Sequence, residues 1–212
     1  MQGMFLYGRI NGIRPEERIA RLVLHHELDI SVTEAECPDL QNEMFGIEVT
    51  RAFPDWYCIT EGNYAKYRQA KANNDVAAAK FYFTQSIINT DEVHVDMTVD
   101  ADGNIARQVT QISPYCDTDL EEIKFAIDRK NSKAINYGTK PLQLYIFTLG
   151  GFGESEYGTF VGRIRGILWD TNSPYETIYI HQIRTRKLFV IDKSRFEIKD
   201  LDMDYYMSKL HW

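Results

Sequence analysis

Residues 119–147 constrain this chain more tightly than any other stretch. Thr118-Asp119-Leu120-Glu121 has the pattern of a capping box, so the sequence predicts a helix from near Asp119 to about Tyr137, where Gly138 stops it. Leu142-Gln143-Leu144-Tyr145-Ile146-Phe147 follows as a strongly apolar strand, suited to the middle of a sheet. Upstream, Phe45-Gly46-Ile47-Glu48-Val49 is a second compact apolar strand. Strand, helix and strand in that order are what a crossover onto one sheet requires. The expected fold class is therefore α/β, a mixed central sheet flanked by helices.

The crossover helix carries a cation on its apolar face. Ile123, Ile127, Lys130 and Ala134 fall at i, i+4, i+7 and i+11, a single stripe, and Lys133 flanks it. Burying an ammonium is costly unless a partner meets it, so the position invites a carboxylate or phosphate. The other reading is that Lys130 snorkels from the edge of the stripe.

Two acids near the first strand are candidates for that partner. Side chains alternate along a strand, so Ile47 and Val49 face one side and Glu48 the other. Pro38 cannot donate to a ladder, which suits a strand end and leaves Asp39 near a rim. Carboxylates before and inside adjacent strands can converge, as hard divalent cations require. Alternatively, Asp39 is a turn residue and Glu48 faces solvent.

Earlier, Pro15 suits a first helical turn, with Glu16 and Glu17 near the positive helix end. Ile19, Leu22, Val23 and His26 give residues 15–27 a helical period. Glu16 lies on the inward stripe and Glu17 points away, so Glu16 is the first site-facing candidate and Glu27 the second. Glu16 could equally serve the helix dipole alone. Ile30-Ser31-Val32-Thr33 reads as a strand leading to Pro38-Asp39.

Residues 55–115 break the pattern. Two helices, 63–72 and 75–88, are followed by a hairpin of Val93–Val99 and Ile105–Val109. Asp100, Asp102 and Asn104 imitate a calcium loop, but Gln111 occupies its twelfth position and Gly103 falls early, so the stretch reads as a turn. The segment is expected to be an insertion in a single domain spanning 1–212. In the tail, residues 159–168, 177–183 and 187–191 read as further strands. Gly150-Gly151-Phe152-Gly153 lacks the Lys-Ser/Thr of a phosphate loop.

Pro38-Asp39, a short hairpin and Gly46-Ile47-Glu48-Val49-Thr50 together resemble the PD-(D/E)XK nuclease superfamily. The likeness is to a bacterial branch whose last motif position reads Thr rather than Lys, and it covers roughly residues 14–53 and 118–149. It implies a restriction-endonuclease-like core and Mg²⁺- or Mn²⁺-dependent hydrolysis of DNA phosphodiesters. Asp39, Glu48 and the Val49 carbonyl would hold the metal, and Glu16 would orient a second ion or a water. Because the motif lysine is Thr50 here, either Lys130 or Lys133 reaches in from the crossover helix or catalysis is lost.

The net charge of −7 runs against a nucleic-acid partner. Any basic footprint must be local, and Arg163, Arg165, Arg184, Arg186 and Lys187 cluster in the last third, where they could also be solvated strand faces. Two other expectations stand beside the nuclease. One is an inactive nuclease-like domain binding nucleic acid or a protein; the other is an interaction protein using Tyr64, Tyr67, Tyr157, Tyr175 and Tyr179. A homodimer is compatible with each. Hydrophobic residues at 44% can build a core. Three distant cysteines (Cys37, Cys58, Cys116) and the lack of a leader or apolar span point to a cytoplasmic protein, with no membrane partner.

Overall fold

The computed structural model describes residues 14–89, 93–99, 105–111, 115–134, 137, 140–150 and 154–209. They fall into two compact units, one within residues 54–118 and the other of residues 14–53 and 119–209.

Helix α1 (Pro15–Leu28) starts on its proline and ends at Asp29, whose φ of 54° is left-handed. Glu17 folds back, so that its Oε2 accepts the Arg14 backbone N–H at 3.0 Å, and it is buried rather than turned to solvent. Ile19 and Val23 of the expected stripe are fully buried together with Ala20 and Leu24, whereas Leu22 is half-buried and His26 exposed, so the inward face is rotated from the expected one. Then come three antiparallel strands, β1 (Thr33–Glu34), β2 (Leu40–Gln41) and β3 (Gly46–Ala52). The strand expected over 30–33 shrinks to its last residue. The Asn42 side chain takes the Ser31 carbonyl at 3.2 Å, replacing a ladder partner.

The smaller unit holds α2 (Asp55–Ala72), α3 (Val76–Thr84) and a three-stranded antiparallel sheet of β4 (Ile88–Asn89), β5 (Val93–Val99) and β6 (Ile105–Gln111). The two helices and the hairpin are those the sequence predicts, although α2 begins eight residues early. Trp56, Tyr57 and Thr60 are buried, and burying them outweighs their poor helix propensity. The calcium-like stretch 100–104 lies outside the described residues.

Helix α4 (Tyr115–Ala134) leads into β7 (Leu142–Thr148). It starts one turn before the expected capping box. Asp119 is instead an interior helical residue, whose Oδ2 accepts the Gly150 N–H at 3.0 Å. Gly138 lies outside the described residues. Next are α5 (Tyr157–Asp170), β8 (Tyr175–Gln182), β9 (Lys187–Asp192), β10 (Phe196–Asp200) and α6 (Met203–Lys209). The strand expected over 159–168 is thus a helix. Phe160, Val161 and Ile164 are buried at helical spacing, and Gly158, Gly162 and Gly166 repeat every four residues on the other side.

Seven strands form one mixed sheet in the order β1-β2-β3-β7-β8-β9-β10, with β3, β7 and β8 parallel and the others antiparallel. The coarse α/β expectation holds. Strands β7 and β8 are buried on both faces, as inner parallel strands are. One face carries Glu48 and Thr50 of β3 toward α4; the other carries Arg51 toward α1. In the interior, the Tyr145 hydroxyl meets His181 Nδ1 at 2.8 Å. Complete burial pushes His181 down to about 3, so it is neutral. No described helix is long and apolar enough to cross a membrane.

Candidate functional site

The site is set by register. Leu40 pairs with Ile47 and Gln41 with Gly46, so the antiparallel ladder puts Asp39 opposite Glu48 and on the same face. The turn between them is fixed by Asn42, whose Oδ1 accepts the Met44 and Phe45 N–H groups at 2.9 and 3.0 Å. Gly46 is required beside Pro38, because a Cβ there would overlap the proline ring.

Lys130 comes down from α4 onto this pair. It is 9% exposed; its Nζ bonds Glu48 Oε2 and lies 3.8 Å from Asp39 Oδ2. Glu48 is 2% exposed, so an ammonium and a carboxylate are buried together, which is tolerable only as a pair. The inward stripe of the crossover helix therefore ends in a charge partner. Lys133, three residues on, is exposed and takes no part.

Asp39 is held from two further sides. Its Oδ2 accepts the Val49 N–H at 2.8 Å, and its Oδ1 receives Arg14 Nη2 at 2.9 Å. The same Nη2 lies 3.4 Å from the Val49 carbonyl oxygen. Burial works to lower the Arg14 pKa, but Asp39 and Glu17 outweigh it and hold the guanidinium above its ordinary value. One side-chain cation thus spans two of the oxygens expected to hold a metal.

Glu16 is not brought to the pair. Its carboxylate lies 3.3 Å from Arg51 Nε on the opposite face of β3, and burial pushes its pKa up. Glu27, the second candidate, accepts the Tyr206 hydroxyl, also away from Glu48. Four neighbours were not legible as site residues. Arg14 is one. Arg129 Nη2 donates to Thr50 Oγ1 at 2.8 Å. The Tyr137 and Tyr175 phenols are both pushed above their ordinary range, by burial first and then by Glu48. Tyr137 also bonds Glu48 directly. Tyr175 and Tyr179, expected at an exposed interface, are 2% exposed.

The donor set suits a hard dication: two carboxylates and a backbone carbonyl, with no sulfur or imidazole. It is sparse, since no group of three or more His, Cys, Asp or Glu gathers among the described residues. Mg²⁺ keeps several waters and accepts one or two carboxylates, so the set is adequate. Three residues of the expected basic cluster are engaged within the chain. Arg186 pairs with Asp204 at 3.1 Å, Lys187 with Asp200 at 2.5 Å, and Arg165 Nε donates to the Asp192 carbonyl. Comparison with protein-family models, curated proteins and solved structures returns no match for this chain.

Proposed function

We propose that this chain is a divalent-metal-dependent hydrolase of nucleic-acid phosphodiesters, acting on DNA. One observation carries the reading: Asp39 and Glu48 stand opposite each other across β2 and β3, with Lys130 Nζ reaching both. Further support comes from the order of helix, three antiparallel strands, crossover helix and parallel strand, which agrees with a restriction-endonuclease-like core.

Asp39, Glu48 and the Val49 carbonyl would hold Mg²⁺ or Mn²⁺. When bound, the ion supplies Lewis acidity and an activated water for attack on phosphorus. Lys130 takes over from the lysine that Thr50 replaces: it keeps a positive charge beside the acids, where negative charge grows on the phosphoryl oxygens. Arg129 holds the Thr50 hydroxyl, so that position orients and does not donate charge. Arg14 fixes Asp39 and must yield Asp39 Oδ1 and the Val49 carbonyl to a metal. The Tyr137 phenol stays protonated and remains a donor to Glu48.

The test is cleavage of supercoiled plasmid and labelled oligonucleotides with Mg²⁺ or Mn²⁺. Asp39→Asn and Glu48→Gln should each abolish it while the circular-dichroism spectrum is kept. No cleavage by wild-type protein under any divalent condition would replace this reading with that of an inactive nucleic-acid- or protein-binding domain.

A further inference from the structure

A cleft of about 350 Å³ opens where the C-terminal half of α5 meets the starts of β8 and the loop after β9. That is within the range of small-ligand sites. Its walls include Arg165, Trp169, Asn172, Ser173, Tyr175 and Lys193, and among the described residues no carboxylate. In a chain of net charge −7, a concavity whose described walls carry two cations favours an anionic ligand.

Three features define that ligand further. Trp169 is 85% exposed, the most exposed large apolar side chain described, and it offers an indole face on the cleft rim. Exposed tryptophan beside basic side chains is the arrangement on which unpaired bases stack. Two polar atoms in the cleft walls are buried without a partner: Arg165 Nη2 and the Tyr175 hydroxyl, the latter on a residue only 2% exposed. Buried donors of this kind call for an acceptor. Finally, the cleft meets the helix that carries Lys130. Ser173 Oγ donates to Asn131 Oδ1 at 3.0 Å, next in sequence to Lys130, and Tyr175 feels the charges of both Glu48 and Asp39.

We propose that this cleft holds an unpaired nucleotide of the substrate strand, its base against Trp169 and its phosphate against Arg165 and Lys193. The inference rests on the nucleic-acid reading above and adds where the strand runs: from the acid pair past Tyr175 to the exposed indole. An unpaired end, flap or flipped base fits this path, because a base inside a duplex has no free face for the indole.

The experiment is fluorescence anisotropy of a labelled oligothymidylate of about 12 nucleotides in EDTA, so that binding is read without cleavage. Trp169→Ala should weaken binding about tenfold, and Trp169→Phe should restore it to within about threefold, since stacking survives. Lys193→Gln should weaken binding and lower the salt slope by about one. Trp169 and Lys193 are exposed, so neither change endangers folding. Equal affinity for wild type and Trp169→Ala, or no binding by wild type, overturns the proposal. The two readings separate on parallel Mg²⁺ assays. Trp169-dependent binding without cleavage keeps the cleft and removes the hydrolase; Asp39-dependent cleavage with Trp169-independent binding does the reverse.

Discussion

Replacing Lys130 by methionine tests the site more directly than removing an acid. The change keeps the length of the side chain and its place on the buried stripe of α4, but withdraws the charge from Glu48. Glu48 is 2% exposed, so its carboxylate is left in a poorly solvated place with the Tyr137 phenol as its remaining hydrogen-bond partner among the described residues. Removing one member of a buried ion pair costs about 3–5 kcal/mol, a large share of the 5–15 kcal/mol that holds a domain. Glu48→Gln should cost less, roughly 2–3 kcal/mol, because Asp39 remains 3.8 Å from the ammonium. The double variant Lys130→Met/Glu48→Gln removes both charges, and should recover to within about 1 kcal/mol of wild type. The assay is urea unfolding at neutral pH, followed by circular dichroism, with unchanged m-values as the check on compactness. The cycle should give a coupling of at least about 2 kcal/mol. Singles that simply add, to within about 0.5 kcal/mol, would refute the buried pair. Mn²⁺ adds a second arm: in Lys130→Met the dication has no ammonium competitor, so it should raise the unfolding midpoint more than in wild type.

Other expectations follow from the same coordinates. Glu16→Gln should leave divalent-dependent cleavage within about threefold of wild type, since Glu16 meets Arg51 on the far face; a complete loss measured by plasmid nicking would return it to the site. Gly46→Ala drives a Cβ into the Pro38 ring, so it should destabilise by about 1–3 kcal/mol in the same urea assay and depress cleavage by moving Asp39. Burial raises Asp119 from 3.8 to about 6. The folded state thus holds a proton that the unfolded chain has released, and this stabilising effect is full below pH 3.8 and lost as pH rises through 6. Two units at 1.36 kcal/mol each amount to about 3 kcal/mol. Asp119→Asn, which can still accept the Gly150 N–H, should therefore gain about 2.4 kcal/mol of that on wild type between pH 4 and pH 7, and a flat difference would refute this.

What could be read from the sequence was what periodicity governs. The stripe of Ile123, Ile127, Lys130 and Ala134 located the buried lysine because helix geometry leaves little freedom over eleven residues. The alternation of Ile47, Glu48 and Val49 gave the face of Glu48 for the same reason. Lys133 was drawn in only by proximity; one step off the stripe was enough to put it in solvent. Glu16 failed differently. Its own helix face was read correctly, but whether α1 and α4 cover the same side of β3 is a tertiary fact. Arg14 was overlooked, though a cation at the positive end of a helix is poorly placed and needs a carboxylate elsewhere to explain it. Residues 159–168 were misread because Thr, Phe, Val and Ile favour strands. The four-residue spacing of Gly158, Gly162 and Gly166 was the contrary signal. The cleft beside Trp169 belongs to no local pattern, since its residues come from a helix, a strand and a loop.

The Asn42 turn has a consequence for how this chain can change over time. Strand pleating has a period of two, so one residue gained or lost between Gln41 and Gly46 would rotate Asp39 to the opposite side of the sheet. Every acid, the lysine and the arginine would still be present, and a comparison of composition would see nothing missing. Within this stretch, drift by substitution is cheap and drift by length is fatal to the acid pair. Chains that descend from this one and keep its chemistry should therefore hold the count of residues between Asp39 and Glu48 fixed, even where Glu43 and Met44 are exchanged.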